Sequence, residues 1–159
     1  MNAVEKTVEL LMMRGWKISL AESCTGGLAT ARLVDVPNAS RILDAAVVTY
    51  ANEQKERYLG VRPQTIAQYG VVSEPVVREM AEGVAARNGA QVGIGISGVA
   101  GPGGGTTEKP VGTVCFGFFV NGETKTLTRR FGNIGRNAVR CKSVDFVFEQ
   151  LVEMLENQA

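Results

Sequence analysis

The sequence predicts an α/β protein, a three-layer α/β/α sandwich whose mixed, mostly parallel β-sheet lies between helices. Three observations predict this class. Helical patterns precede and separate short apolar strand patterns, which is typical of parallel strands joined by helices. Two later strand patterns flank Asn121 and Gly122, the usual residues of a tight hairpin turn, so one strand is antiparallel. The chain has 159 residues, 45% of them hydrophobic, which suits one domain, 1–159, with a sizeable core.

The chain begins with an amphipathic helix over residues 3–14. Val4, Val8 and Leu11 recur at helical spacing on one face, and Gly15 follows as a stop. Glutamates interrupt the apolar pattern, which favours a helix of the folded domain over a signal peptide.

The next segment predicts a strand at 17–21 and then a helix at 27–35, which ends before Pro37. The continuous apolar run AAVVTY, 45–50, is typical of a strand that is buried on both faces of a sheet. Two short helices are expected after it, at 52–58 and 63–69.

The clearest helix covers 73–89. Ser73 is a good N-cap, Pro75 suits the first turn, and Gly89 supplies the C-terminal stop. The residues expected to face the core are Val76, Val77, Met80, Val84 and Ala85.

The last elements are a strand, a hairpin and a helix. Glycines in the strand at 92–97 let a helix or a ligand approach its backbone closely. The hairpin pairs 113–120 with 123–131, and a final helix runs from about 136 to 156. Its inward residues are expected to be Val144, Val147, Leu151 and Leu155.

Composition excludes several function classes. A net charge of +1 gives no general bias toward nucleic acid or membrane surfaces, and no apolar run is long enough to span a bilayer. Three scattered cysteines form no disulfide framework, which favours the reducing cytoplasm. The sequence contains no histidine, which rules out a Ser-His-Asp triad or a Cys-His pair within it. We expect no metal and no cofactor, and proton transfer must use Lys, Tyr, Asp or Glu.

The motif SCTGG, 23–27, is the first candidate site. It lies where a strand meets a helix, and there unpaired backbone N–H groups and the helix dipole can bind phosphate or stabilise an oxyanion. Ser23 is a candidate nucleophile, and Thr25, Gly26 and Gly27 are candidate contacts to a ligand. A plain helix cap by Ser23 or Thr25 is the structural alternative.

The glycine-rich segment 98–112 is the second candidate, with six glycines and two prolines. Loops of this length in a compact domain are usually functional or disordered, although a flexible connection is the simple alternative. The segment does not match the phosphate-binding P-loop pattern. Because SCTGG and this segment both follow strands, they can meet at one edge of the sheet.

The third candidate, TYANEQK at 49–55, starts a helix at the end of a strand. Tyr50 and Lys55 can both reach into a cleft there, although a solvated lysine paired with a nearby glutamate is the commoner arrangement. Without histidine, a lysine with a lowered pKa is one of the few bases available to a Ser23 nucleophile. Cys24 is a rival nucleophile at the helix N-terminus, and its alternative role is that of a small buried hydrophobe.

The segment GRNAVR places Arg136 and Arg140 one helical turn apart. Two arginines at this spacing can face a phosphate together, or they can remain solvated at the start of a helix.

Five segments together resemble the C-terminal domain of the CinA family: AESCTGG, VVTYANEQKERYLGV, YGVVSEPVVREMAEG, GISGVAGPGGGTTEKPVGTV and GRNAVR. They occur in the family's order, and the resemblance as a whole runs from about residue 4 to residue 155. The family includes stand-alone bacterial amidases that act on nicotinamide mononucleotide (NMN). Two departures are evident: the separate N-terminal domain of the larger members is absent from this sequence, and Gly135 stands where the family often has Gly-Asp.

The resemblance implies the same three-layer sandwich and hydrolysis of NMN to nicotinate mononucleotide and ammonia, a step of pyridine-nucleotide recycling. By the matching motifs, Ser23 is the nucleophile, and Lys55 and Tyr50 complete the catalytic group. The family's S-G-x-A-G-P motif and its two arginines match the remaining positions expected to bind substrate, which are Ser97, Gly98, Ala100, Gly101, Arg136 and Arg140.

The residues and the resemblance agree on one mechanism. Ser23 attacks the carboxamide after giving its proton to a neutral Lys55, which then protonates the departing ammonia, and water hydrolyses the acyl-enzyme. Tyr50 is expected to orient the reacting groups or to relay a proton. N–H groups of residues 25–27 or of the SGVAG loop hold the oxyanion. The phosphate is expected at the glycine-rich loop with Arg140.

The expected partner is therefore a small-molecule nucleotide, with no nucleic acid and no membrane. The sequence is compatible with a homo-oligomer and does not fix the oligomeric state. Two competing interpretations use the same residues: a non-catalytic nucleotide-binding module, and an interaction domain of the same family.

Overall fold

A five-stranded mixed sheet organises the computed structural model, which describes residues 1–158. The strands are β1 (Ile18–Glu22), β2 (Leu43–Val48), β3 (Val92–Gly98), β4 (Thr113–Val120) and β5 (Glu123–Arg130). Their order across the sheet is β2-β1-β3-β4-β5, with β1 parallel to β2 and β3, and β4 antiparallel to both of its neighbours. Four strands therefore share one direction, and the predicted mixed, mostly parallel sheet is confirmed.

Helices cover both faces of this sheet, as the three-layer prediction requires. They are α1 (Ala3–Arg14), α2 (Leu28–Val34), α3 (Asn52–Leu59), α4 (Pro63–Tyr69), α5 (Glu74–Asn88) and α6 (Arg136–Asn157). One core packs α1, α2 and α6 against the sheet, and a second packs α3, α4 and α5 against the other face. A short 3₁₀ turn at Ala39–Arg41 was not predicted. None of the helices within residues 1–158 is both long and apolar enough to cross a bilayer.

Local signals explain where the elements begin and end. The side chain of Ser73 accepts a hydrogen bond from the Val76 N–H at the start of α5, as its predicted N-cap role requires. Gly15 ends α1 in the left-handed conformation, at φ 65°. Asn121 and Gly122 both have positive φ, which a tight hairpin turn between twisted strands needs.

Strand β2 differs from its prediction. The run 45–50 was expected to be buried on both faces, but β2 covers Leu43–Val48, forms an edge of the sheet, and is mostly half-buried. Hydrophobic character alone does not give strand order, because an apolar strand can form the edge of a sheet as well as its centre. Thr49 and Tyr50 therefore leave the sheet at its edge, and the chain enters α3 immediately afterwards.

Helix α5 packs directly onto the backbone of β3 and β4. A Cβ at Gly93 would lie 2.2 Å from the Ala81 carbonyl oxygen, and one at Gly117 would lie 2.2 Å from the Val77 carbonyl oxygen. The glycines that the sequence places in these strands are therefore needed for close approach of the helix.

Replacing Gly117 by alanine should lower the free energy of unfolding by about 1–3 kcal/mol or more, because the added methyl meets backbone that cannot move aside. Urea unfolding measures the change. Gly103→Ala is the matched control, since a Cβ there meets nothing within 4 Å. Equal unfolding midpoints for the two variants would contradict this packing.

Candidate active site

A cleft of about 290 Å³ opens at the carboxyl ends of the three parallel strands. Ser23 and Cys24 enter it after β1, Tyr50 after β2, and Ser97 from the end of β3. The other lining residues are Lys55, Val71, Val72, Gly98, Val99, Ala100, Gly101, Gly103, Gly104 and Arg136. The predicted convergence of the serine motif and the glycine-rich loop at one edge of the sheet is therefore confirmed.

A second cavity, of about 350 Å³, lies among α1, α2 and α6. Its lining includes Glu5, Asp35 and Asp145 but no serine, cysteine or lysine. Within residues 1–158, acidic and cysteine side chains form no group of three or more that could share a metal ion. Of these two cavities, the 290 Å³ cleft is therefore the one that contains both the candidate nucleophile, Ser23, and the candidate base, Lys55.

The Lys55 ammonium nitrogen, Nζ, donates to Ser23 Oγ at 3.2 Å. Two backbone carbonyl oxygens also accept from it, that of Thr49 at 2.7 Å and that of Tyr50 at 3.3 Å. Helix α3 begins directly after the turn at Tyr50, which brings Lys55 back over the end of β2. The lysine is 1% exposed, so its ammonium group is bound by these three oxygens and not by bulk water.

Burial lowers the pKa of Lys55, because removal from water disfavours the charged amine, and a negative charge on the nearby Cys24 would oppose this. Within residues 1–158, no acidic side chain lines the cleft to hold the proton on Lys55. A neutral amine has two N–H groups and one lone pair. The two carbonyls can accept the N–H groups, and the lone pair can then take the proton of Ser23.

The lowered pKa of Lys55 predicts how stability depends on pH. Between this native pKa and the ordinary lysine value of about 10.4, the unfolded chain binds more protons than the native protein. Stability relative to Lys55→Met should therefore rise with pH inside this window, by at most about 1.4 kcal/mol per pH unit. Below the window the difference should be constant.

Chemical denaturation of both proteins across pH 6–10 measures that difference. A pH-independent difference throughout this range would mean that the pKa of Lys55 is not lowered, and would contradict the burial effect.

Cys24 is a poorer nucleophile than its position in sequence indicated. Its side chain lines the cleft but is 6% exposed, and burial raises the pKa of its thiol to about 11. At neutral pH the group is therefore a thiol and not a thiolate, and only the thiolate is strongly nucleophilic. This geometry supports Ser23 over Cys24.

Glu22 is a residue that the sequence reasoning missed. Its buried carboxylate accepts four hydrogen bonds: from the hydroxyls of Thr25 and Thr30, both at 2.6 Å, and from the N–H groups of Ala29 and Thr30, both at 2.9 Å. The only signal was a charged residue at the end of an otherwise apolar strand, ISLAE. The first N–H groups of α2 are thus already paired, and this helix end does not offer the anion site that the sequence indicated.

Thr25, Gly26 and Gly27 do not line the cleft. The Thr25 hydroxyl points to Glu22, the Gly26 N–H donates to the Ser23 carbonyl at 3.0 Å, and Gly27 begins α2 with φ 100°. The prediction that these three residues contact a ligand finds no support in this geometry, since they shape the turn that carries Ser23.

Ser97, Gly98, Ala100 and Gly101 also line the cleft, as their prediction as substrate contacts requires. The loop is anchored by Val99, whose N–H donates to the Thr113 carbonyl and whose carbonyl accepts from the Gly112 N–H, both at 2.8 Å. With the Val99 N–H used in this way, Ala100 and Gly101 are the candidate donors to an oxyanion.

The two arginines have different surroundings. Arg136 lines the cleft and donates to the Gly101 carbonyl at 2.7 Å and to the Tyr50 hydroxyl at 2.9 Å. Arg140 does not line it and donates to the carbonyls of Cys24 at 3.0 Å and Thr25 at 2.9 Å. Only Arg136 is therefore placed to meet a ligand in the cleft.

Fold and site together define an α/β/α sandwich with a buried serine-lysine pair in a cleft at the strand ends. A family comparison agrees: the sequence pattern of the CinA C-terminal domain matches residues 1–155, and the chain belongs to this family.

Curated relatives share the sequence along most of this chain. A putative competence-damage inducible protein of Alkaliphilus oremlandii is 41% identical over 155 residues, which are 98% of this chain and 37% of that protein. A CinA-like protein of Chlorobaculum tepidum is 54% identical over 113 residues, 71% of this chain and 27% of that protein. The chain thus spans only about a third of the length of such relatives.

Solved structures match the whole fold. A CinA superfamily protein from Klebsiella pneumoniae 700603 aligns with a TM-score of 0.93 at 38% identity, over 97% of this chain and 96% of that one. The competence/damage inducible protein CihA from Agrobacterium tumefaciens aligns with a TM-score of 0.90 at 34% identity, over 99% and 98%.

Proposed function

We propose that the cleft hydrolyses the carboxamide of NMN, producing nicotinate mononucleotide and ammonia. The observation that carries this proposal is the 3.2 Å contact between Lys55 Nζ and Ser23 Oγ, with the lysine fully buried and its pKa lowered. A serine beside a neutral amine is an activated nucleophile for acyl transfer. The resemblance of the site motifs to those of NMN amidases supports the choice of substrate.

Acylation begins when Ser23 Oγ attacks the carboxamide carbon and its proton passes to Lys55. The tetrahedral oxyanion is held by N–H groups of the glycine-rich loop, with Ala100 and Gly101 as the candidate donors. Lys55 then returns the proton to the amide nitrogen, the C–N bond breaks, and ammonia leaves. Ser23 now carries the nicotinate mononucleotide as an ester.

Deacylation uses the same groups in the reverse order. Lys55, neutral again after losing its proton to the leaving ammonia, takes a proton from a water molecule that attacks the ester carbon. Collapse of the second tetrahedral intermediate returns a proton to Ser23 Oγ and releases the carboxylate product. No histidine is needed at any step.

The walls of the cleft suit a pyridine nucleotide. Val71, Val72 and Val99 provide apolar surface for the ring. Arg136 is the cation placed to meet the phosphate, and its bond to the Tyr50 hydroxyl orients both side chains at the mouth. We assign Tyr50 an orienting role, because it is 61% exposed while Lys55 is the buried group beside Ser23.

Ammonia release from NMN by the purified protein tests the proposal. We expect kcat/KM for NMN to exceed that for free nicotinamide by about 10-fold or more, because each charge-assisted hydrogen bond to phosphate contributes about 1.5–3 kcal/mol. Arg136→Met should reduce the rate with NMN much more than the rate with nicotinamide.

Equal kcat/KM values for the two compounds would contradict the phosphate site. Saturable binding of NMN without ammonia release would instead support the non-catalytic nucleotide-binding module, and neither binding nor release would favour an interaction domain.

A further inference from the structure

We infer that Glu22 and Arg140 are positioning residues that clamp the turn carrying Ser23 from two sides. This inference rests on the proposed function, in which Ser23 must meet both Lys55 and the carboxamide. It also gives Arg140 a role other than the phosphate contact that its sequence motif indicated.

The carboxylate of Glu22 holds the turn from within the protein. It is 0% exposed and ties the Thr25 hydroxyl, two residues after Ser23, to the first turn of α2. Its backbone carbonyl accepts from the Thr49 N–H at 2.9 Å, and the Thr49 carbonyl in turn accepts from Lys55. One residue therefore connects the nucleophile turn to the strand end that holds the base.

The guanidinium of Arg140 holds the same turn from α6. Its Nε donates to the Cys24 carbonyl and its Nη2 donates to the Thr25 carbonyl, so two successive peptide units after Ser23 are fixed. Its Nη1 donates to the Asn137 side chain at 3.2 Å. Three of the five N–H groups of Arg140 thus bind the protein, and the side chain does not line the cleft where a phosphate would lie.

The hydrogen-bond pattern at Glu22 requires an oxygen acceptor at both positions of its side-chain terminus. Each of its oxygens accepts one hydroxyl and one backbone N–H, from Thr25 and Ala29 on one oxygen and from Thr30 twice on the other. In Glu22→Gln, whichever way the amide turns, its NH₂ group meets a backbone N–H that cannot rotate away. A nearly isosteric change should therefore displace the turn and the Ser23 hydroxyl.

The test measures the reactivity of Ser23 in two ways. One is ammonia release from NMN, and the other is labelling by phenylmethylsulfonyl fluoride, followed by intact mass. In the labelling reaction Ser23 Oγ displaces fluoride from sulfur and its proton passes to Lys55, so no natural substrate is needed. Both are done at a temperature where circular dichroism reports full folding of every variant.

Glu22→Gln and Arg140→Met should slow both reactions by about 10- to 100-fold, the cost of a misplaced nucleophile. Arg140→Lys, which keeps the charge and can still donate to a carbonyl, should lie between Arg140→Met and wild type. The ratio of kcat/KM for NMN over nicotinamide should stay unchanged in all of them, since no phosphate contact is removed.

Matched controls exist for both changes. Arg32 also links α2 to α6, through Asp145, and Glu74 also accepts two threonine hydroxyls, but neither touches the turn. Arg32→Met and Glu74→Gln should leave both reactions at the wild-type rate.

Labelling rates and ammonia release separate a wrong clamp from a wrong substrate. Wild-type labelling rates in the Glu22 and Arg140 variants, or a selective rise of KM for NMN in Arg140→Met, would overturn the clamp while NMN hydrolysis stands. Slowed labelling in both variants, with no ammonia released from NMN by wild type, would support the clamp and reject the proposed substrate.

Discussion

Replacing Ser23 by alanine is expected to reduce kcat/KM for ammonia release from NMN by about 10⁴-fold or more. The reason is that no other side chain in the cleft combines a hydroxyl with a contact to Lys55, and loss of a nucleophile removes the covalent route as a whole. Steady-state assay of ammonia measures the loss. The fold should remain intact, since Ser23 accepts only the lysine contact through its side chain.

Cys24→Ala is the matched control for this change. The two residues are adjacent and both line the cleft, but the raised pKa of the Cys24 thiol makes it unreactive at neutral pH. We expect this variant to retain most of the activity. An inactive Cys24→Ala together with an active Ser23→Ala would reverse the assignment of the nucleophile.

Replacing Lys55 by methionine is expected to reduce kcat/KM by about 10²–10⁴-fold, the usual contribution of a general base. Methionine is close to lysine in length and fills the buried site without an amine. The same ammonia assay measures the change. Activity as high as that of wild type would mean that another group deprotonates Ser23.

Lys55→Arg should not restore activity. Arginine keeps a positive charge but cannot lose its proton in the accessible pH range, and it therefore cannot act as a base. Recovery of activity in this variant would indicate that the residue acts through its charge and not through proton transfer.

Most of the fold was predictable because its signals are local. Helices with periodic apolar faces, such as α5 with its Ser73 cap, and the hairpin at Asn121 and Gly122 were expected nearly where they lie. The position of β2 was not predictable, since strand order depends on which surfaces the finished helices cover. An apolar strand at an edge and one in the centre have similar sequences.

The candidate site also contains residues that the sequence identified and residues whose roles depend on contacts formed only in the folded chain. Ser23, Lys55 and Arg136 were found because their residue types carry chemistry, and the structure brings all three to one cleft. Arg140 looked equivalent to Arg136 in sequence, but the carbonyls that it meets belong to a turn more than 100 residues earlier. Glu22 was missed because its partners are assembled only when the turn folds back over it.

The pH dependence of kcat/KM for NMN tests most directly the central claim, that a neutral Lys55 activates Ser23. Because kcat/KM reports ionisations of the free enzyme, the account predicts a rise with pH on one ionisation, below the ordinary lysine value of about 10.4, and then a plateau. The second ionisation of the phosphate, near pH 6, is controlled for with nicotinamide, which has no phosphate. Tyr50→Phe should weaken catalysis but keep this ionisation, and Lys55→Met should abolish it. A rate that falls with rising pH, or an unchanged rate and profile in Lys55→Met, would contradict the account.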